Sequence, residues 1–160
     1  LLNAFFDETG DIDEERSRVF IASHPHGAHT IRKAEEFGRG ILDSISLNAI
    51  NYFAFQVPTP EFMDELYGTF QDVSFGYGHS AKEKQIIERL EKFGCTTKKT
   101  WKRNDSNRNQ YDVQISVYIR NYIHHPENKQ NAMYTISELE DAIKELLMAI
   151  KKARQLLQRP

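Results

Sequence analysis

Residues 118–128 read YIRNYIHHPEN. Tyr118, Ile119 and Tyr122 continue an apolar stripe that starts at Tyr111 and Ile115, with the three- and four-residue spacing of one helix face. Pro126 stops the stripe, because proline has no N–H to give and restricts the residue before it. Beyond it, Thr135 and Glu138 have the spacing of a capping box. Ile136, Leu139, Ile143, Leu146, Leu147, Ile150 and Leu157 then recur along one face. The spacing predicts two helices, over about residues 109–124 and 136–157, packed antiparallel at the centre of an all-α bundle.

Upstream, three more helices are expected. Ile31, Ala34, Phe37, Ile41, Ile45 and Ile50 predict a long helix over about 30–50, weakened by Gly38 and Gly40 at up to about 1 kcal/mol each. Pro60 at a first turn opens a short helix in EFMDELYGTF. Ser80 with Glu83 predicts a capped helix in AKEKQIIERLEKF, which Gly94 ends in a left-handed turn. The expected fold is therefore about five helices, preceded by a short irregular or β-prone extension. That extension covers residues 1–28 and holds the β-prone segment Val19-Phe20-Ile21-Ala22; the helical domain covers 29–160.

With 160 residues, 39% apolar and 28% charged, the chain has the composition of one soluble globular domain. No run approaches the roughly 18 apolar residues of a membrane span. LLNAFFDETGDIDEE lacks the basic-then-apolar order of a secretory signal, so a cytoplasmic protein with no membrane contact is expected. Cys95 is the single cysteine, which excludes an internal disulfide and a thiolate zinc cage within one chain. A net charge of −2 excludes coating of nucleic acid by bulk charge, so any such contact rests on local cations.

Lys98, Lys99, Lys102, Arg103 and Arg108 surround Trp101 in KKTWKRNDSNRN. Cations beside an aromatic ring suit single-stranded RNA, with phosphates on the charges and a base on the ring. The same run also fits a solvated polar loop. His24, His26 and His29 lie near Asp7, Glu8, Asp11 and Asp13. A flexible polar loop is expected there rather than a metal site, since proline and glycine interrupt the histidines. DETGDIDEE lacks the ligand spacing of a calcium loop and reads as solvated. No metal or cofactor is expected.

The chemistry concentrates at the end of the helix that carries Arg120. A guanidinium keeps its charge and presents a planar fork of donors to a phosphate, whereas an imidazole titrates near neutrality. Together they suffice for RNA cleavage, in which the ribose 2′-hydroxyl is the nucleophile. Its proton must leave, the departing oxygen must gain one, and the phosphate charge must be held.

Arg120-Asn121-Tyr122-Ile123-His124-His125 resembles the R-polar-x3-H signature of HEPN-domain ribonucleases, a superfamily of small helical bundles that includes toxins and antiphage effectors. The resemblance is carried by residues 109–157. It implies an endoribonuclease acting on single-stranded RNA or tRNA without metal. Arg120 and His125 would be its catalytic pair and Asn121 the helper, with His124 kept as an orienting or alternative group. It also implies a homodimer with a composite active site, restrained by a regulatory partner protein or an associated ATPase. Toxins of this type controlled by tyrosine modification carry a tyrosine two residues after the histidine; Glu127 stands there, so that control is not implied. The rival expectation is a non-catalytic binding or dimerisation module that docks on a partner toxin or ATPase.

Overall fold

The computed structural model describes residues 20–23, 30–33, 38, 41–103 and 109–157, the first two segments by backbone alone. The chain divides into two compact units, Leu1–Phe62 and Met63–Pro160.

In the first unit, β1 (Phe20–Ser23) and β2 (Thr30–Lys33) pair antiparallel, with Ala22 opposite Ile31. The expected helix over 30–50 is not formed. Its first residues are strand, and Gly38 takes a left-handed φ of 71° that breaks any helix there. The helix that does form is α1 (Leu47–Phe55), with two caps the spacing did not reveal. The Ser46 hydroxyl accepts from the Ala49 N–H at 3.1 Å, and Gln56 closes the other end at φ 55°. Tyr52, Phe53 and Phe62 form an aromatic cluster, with ring centroids 5.2–5.9 Å apart.

α2 (Pro60–Phe75) begins as its sequence predicts, with proline at the first turn and the Thr59 hydroxyl accepting from the Phe62 N–H at 3.2 Å.

The second unit continues with α3 (Glu83–Lys92), β3 (Lys98–Lys102), β4 (Gln110–Gln114), α4 (Ile115–His124) and α5 (Ile136–Leu157). α3 starts later than expected. Lys82 is its N-cap, Gln85 Oε1 accepts the Lys82 N–H at 2.9 Å, and the Ser80–Glu83 box is not formed. Gly94 does supply the left-handed stop, at φ 89°.

The basic stretch is not a loop throughout. β3 and β4 pair antiparallel with Trp101 opposite Tyr111 and Lys99 opposite Val113, and side chains alternate between a buried and a solvent face. The run 110–114, expected as helix, is thus strand. Tyr111 and Ile115 share helical spacing only by the accident that they straddle the junction. There the Ile115 N–H donates to the Thr97 carbonyl at 2.8 Å, fixing where α4 begins. Across the described residues the architecture is five helices with two small two-stranded sheets. That is mostly helical, as expected, but not purely so.

α4 and α5 pack together and carry much of the core. Ile115, Val117, Tyr118 and Ile119 are buried on α4, and Leu139, Ala142, Ile143, Leu146, Ala149 and Ile150 on α5. Ile136 and Leu157, counted in the expected stripe, are exposed at the two ends. The Thr135–Glu138 box is formed in both directions. Glu138 Oε2 accepts the Thr135 N–H at 2.7 Å, and the Thr135 hydroxyl accepts the Glu138 N–H at 3.1 Å. Glu138 also binds Lys99 Nζ at 2.7 Å, so one carboxylate caps α5 and fastens β3 to it.

Replacing the cap residue isolates the box. Thr135→Ala is expected to lower the stability of the chain by about 1 kcal/mol in a urea titration followed by circular dichroism. An unchanged midpoint would show that α5 does not depend on its cap.

Candidate active site

α4 runs unbroken to His124, and the His125 N–H donates to the Asn121 carbonyl at 2.9 Å as the helix closes. Residues four apart therefore share a face, and the motif separates into two pairs. Arg120 and His124 face α2. The Arg120 guanidinium carbon lies 4.9 Å from the centroid of the Tyr67 ring, and His124 Nε2 lies 3.3 Å from Asp64 Oδ1. Tyr67 and Asp64 are themselves three apart on α2, so two matched helical faces meet. Burial pushes the Tyr67 phenol well above its ordinary range, with Arg120 opposing the shift.

Asn121 and His125 occupy another face and border a cleft of about 310 Å³. Asn121 is only 5% exposed, which obliges its amide to find partners. Asn121 Nδ2 donates to Glu83 Oε2 at 2.8 Å. The other oxygen of Glu83 accepts from the Tyr111 hydroxyl at 2.7 Å, and Tyr111 accepts from Arg103 Nη2 at 3.4 Å. Arg103 also lies over the Tyr111 ring at 5.2 Å. Burial, followed by the hydrogen bond to Glu83, raises the Tyr111 phenol above its ordinary value.

His125 stands at the opposite edge. Its Nδ1 is 3.2 Å from Glu127 Oε1, and its ring is 6.4 Å from that of Trp101. Glu127 is held below the usual carboxylate range, chiefly by its own backbone N–H and further by His125. An ionised Glu127 favours the tautomer with its proton on Nδ1, which makes Nε2 the basic nitrogen.

The turn after α4 is anchored by two buried asparagines. Asn128 and Asn131 each donate from Nδ2 to the Lys102 carbonyl, at 2.7 and 2.9 Å, and Asn131 Oδ1 accepts the Lys102 N–H at 2.9 Å. This clamp holds the end of β3 against the turn that carries His125, so strand and helix end form the two banks of the cleft.

The cations of the basic stretch take varied places. Lys98 pairs with Glu91 at 2.6 Å and Lys99 with Glu138, the latter ammonium also lying over Tyr118 at 4.7 Å. Lys102 is clamped through its backbone, Arg103 reaches the cleft, and Arg108 lies outside the described residues. Trp101 is only 4% exposed and meets Tyr118 edge to face at 5.6 Å. Alternation along β3 turns it inward, where it packs in the hairpin core and borders the cleft beside His125. His24, His26, His29 and the acidic run 7–15 lie outside the described residues. Cys95 is buried, and burial, with Glu145 beside it, pushes its thiol up to about 12, far from a reactive thiolate.

Glu83, Tyr111 and Asn128 complete the site, yet only the capping pattern drew attention to Glu83, and for a different role. Compared with family models, characterised proteins and solved structures, the chain matches none.

The Glu83 bridge can be removed. In Glu83→Ala the buried Asn121 amide loses its acceptor, at an expected cost of about 1–3 kcal/mol. The Tyr111 phenol, assigned by comparison with Tyr111→Phe, should ionise at lower pH in a tyrosinate absorbance titration. The sign follows from the raised native value: the neutral phenol stabilises the fold below the unfolded ionisation range, and this is lost as pH rises through the native one. An unmoved titration would show that Glu83 does not act on Tyr111.

Proposed function

We propose that this chain is a metal-independent endoribonuclease that cuts single-stranded RNA or tRNA by attack of the ribose 2′-hydroxyl on the adjacent phosphorus. The observation that carries the reading is the pairing, in one cleft, of a Glu127-oriented imidazole at His125 with a buried, anchored amide at Asn121. Nε2 of His125 takes the 2′-hydroxyl proton, the new bond from the 2′-oxygen to phosphorus expels the 5′-oxygen, and a protonated imidazole supplies its proton. Asn121 offers a hydrogen bond to the phosphate, and Arg120 the fixed positive charge. The products are a cyclic phosphate and a free 5′-hydroxyl. The resemblance of RNxxxH to HEPN ribonucleases points the same way.

Arg120 does not line the cleft that holds His125, and one His125 supplies one titrating group. A second copy related by a two-fold axis supplies another arginine and another imidazole, and places the same helix end from each chain at the shared phosphate. The proposal therefore includes a homodimer with a composite site made of Arg120, Asn121 and His125 from both chains, His124 serving to orient. A regulatory partner or an associated ATPase belongs to the same reading and rests on the family resemblance alone.

One observation favours a non-catalytic binding module instead. Arg120 on Tyr67 and His124 beside Asp64 are contacts that also make sense as helix packing. The two readings differ in a cleavage assay in EDTA, run with light scattering to give the mass. The nuclease reading expects a dimer that cuts RNA in EDTA, with activity reduced at least about a hundredfold in Arg120→Ala and in His125→Ala. Silence of wild type and variants alike, with the fold intact, would favour the binding module. Activity from a strict monomer, or activity that needs a divalent ion, would contradict the composite, metal-free site.

A further inference from the structure

The turn that carries His125 separates two hollows. One is the cleft already described. The other, about 440 Å³, lies on the side of Tyr122 and Ile123 and is completed by Pro126, Lys129 and Tyr134. Asn128 borders both, so the two spaces share a wall residue.

Its walls are unlike a packing defect. Tyr122 and Tyr134 meet edge to face, with centroids 5.6 Å apart and planes at 88°. Both are half-buried, and Ile123 keeps 36% of its surface exposed. Both rings border the hollow, and the proline ring and Ile123 offer further apolar surface. Lys129, exposed beside them, supplies a cation. The volume falls in the range of about 300–1,000 Å³ of small-ligand pockets. Aromatic and apolar surface with a cation, one residue from a phosphate-handling group, is the chemistry that receives an unstacked base while its backbone phosphate stays outside.

We propose that this hollow is a nucleobase subsite. An unpaired base next to the cut phosphate enters the hollow against the Tyr122–Tyr134 pair, and Lys129 meets a flanking phosphate. The proposal rests on the ribonuclease reading and gives it a substrate preference: a flexible single strand or loop, since a base held in a duplex cannot swing into the pocket. It also gives Tyr134 a part in RNA binding.

The test uses an uncleavable RNA carrying a 2′-deoxy substitution at the cut site, with one abasic position moved along the strand and binding read by fluorescence anisotropy. In the wild-type protein, affinity should fall about tenfold for an abasic nucleotide at one position beside the cut site and little elsewhere. Tyr134→Leu should bind intact RNA with the same loss and be insensitive to the abasic substitution, while Tyr134→Phe should behave as wild type. A flat abasic scan in the wild-type protein overturns the subsite, whether or not the leucine variant folds. So does a leucine variant that keeps the abasic effect. If wild type cuts all-ribose RNA and either result is found, the subsite alone fails. If wild type neither cuts nor binds RNA, the ribonuclease reading fails and the subsite with it.

Discussion

Glu83 joins three elements at one point: it is the first residue of α3, and its carboxylate holds Tyr111 of β4 and Asn121 of α4. Asn121 is nearly inaccessible to water, so its amide must be paired within the protein or cost the fold the desolvation of an unmet group. A carboxylate with both oxygens engaged meets that demand and ties the hairpin to the helix. The position of Asn121 beside His125 thus follows from a constraint on burial, and a polar group is fixed at the cleft before any ligand arrives.

Helical geometry sets the second constraint. Because α4 stays helical to His124, residues four apart in RNYIHH share a face, one pair on the α2 side and one on the cleft side. Arg120 goes with His124 and Asn121 with His125. Arg120 and His125, with four residues between them, therefore lie on different faces of the helix end. That geometry is what makes a two-chain site the economical reading, and it gives Glu127 and the Asn128–Asn131 clamp a common purpose, which is to hold His125 just past the helix end.

Much of this was legible in the sequence, for physical reasons that can be named. α5 was legible because its apolar period is long and its capping box is complete; the stop of α3 was legible because only glycine takes a φ of 89° without strain. The end of α4 was legible from Pro126. The hairpin was not, because five-residue strands with lysine at alternate positions resemble a polar loop, and because Tyr111 and Ile115 happen to match the helical period across a strand–helix junction. The 30–50 helix failed for a similar reason: isoleucines at helical spacing also suit strands, and Gly38 decided against the helix. Of the site, the motif itself was legible, since it is contiguous. Glu83, Tyr111 and Asn128 were not, because pairing between elements 26–38 residues apart leaves no local pattern.

The central claim is that side chains at the end of α4 direct an internal attack by a ribose hydroxyl. It is tested most directly on an all-deoxy strand that contains a single ribonucleotide, with the product ends read by mass spectrometry. The account predicts one cut, immediately 3′ of the ribose, leaving a 2′,3′-cyclic phosphate and a 5′-hydroxyl. A 3′-hydroxyl with a 5′-phosphate, or cuts at deoxy positions, would mean that water and not the ribose is the nucleophile, and would contradict it.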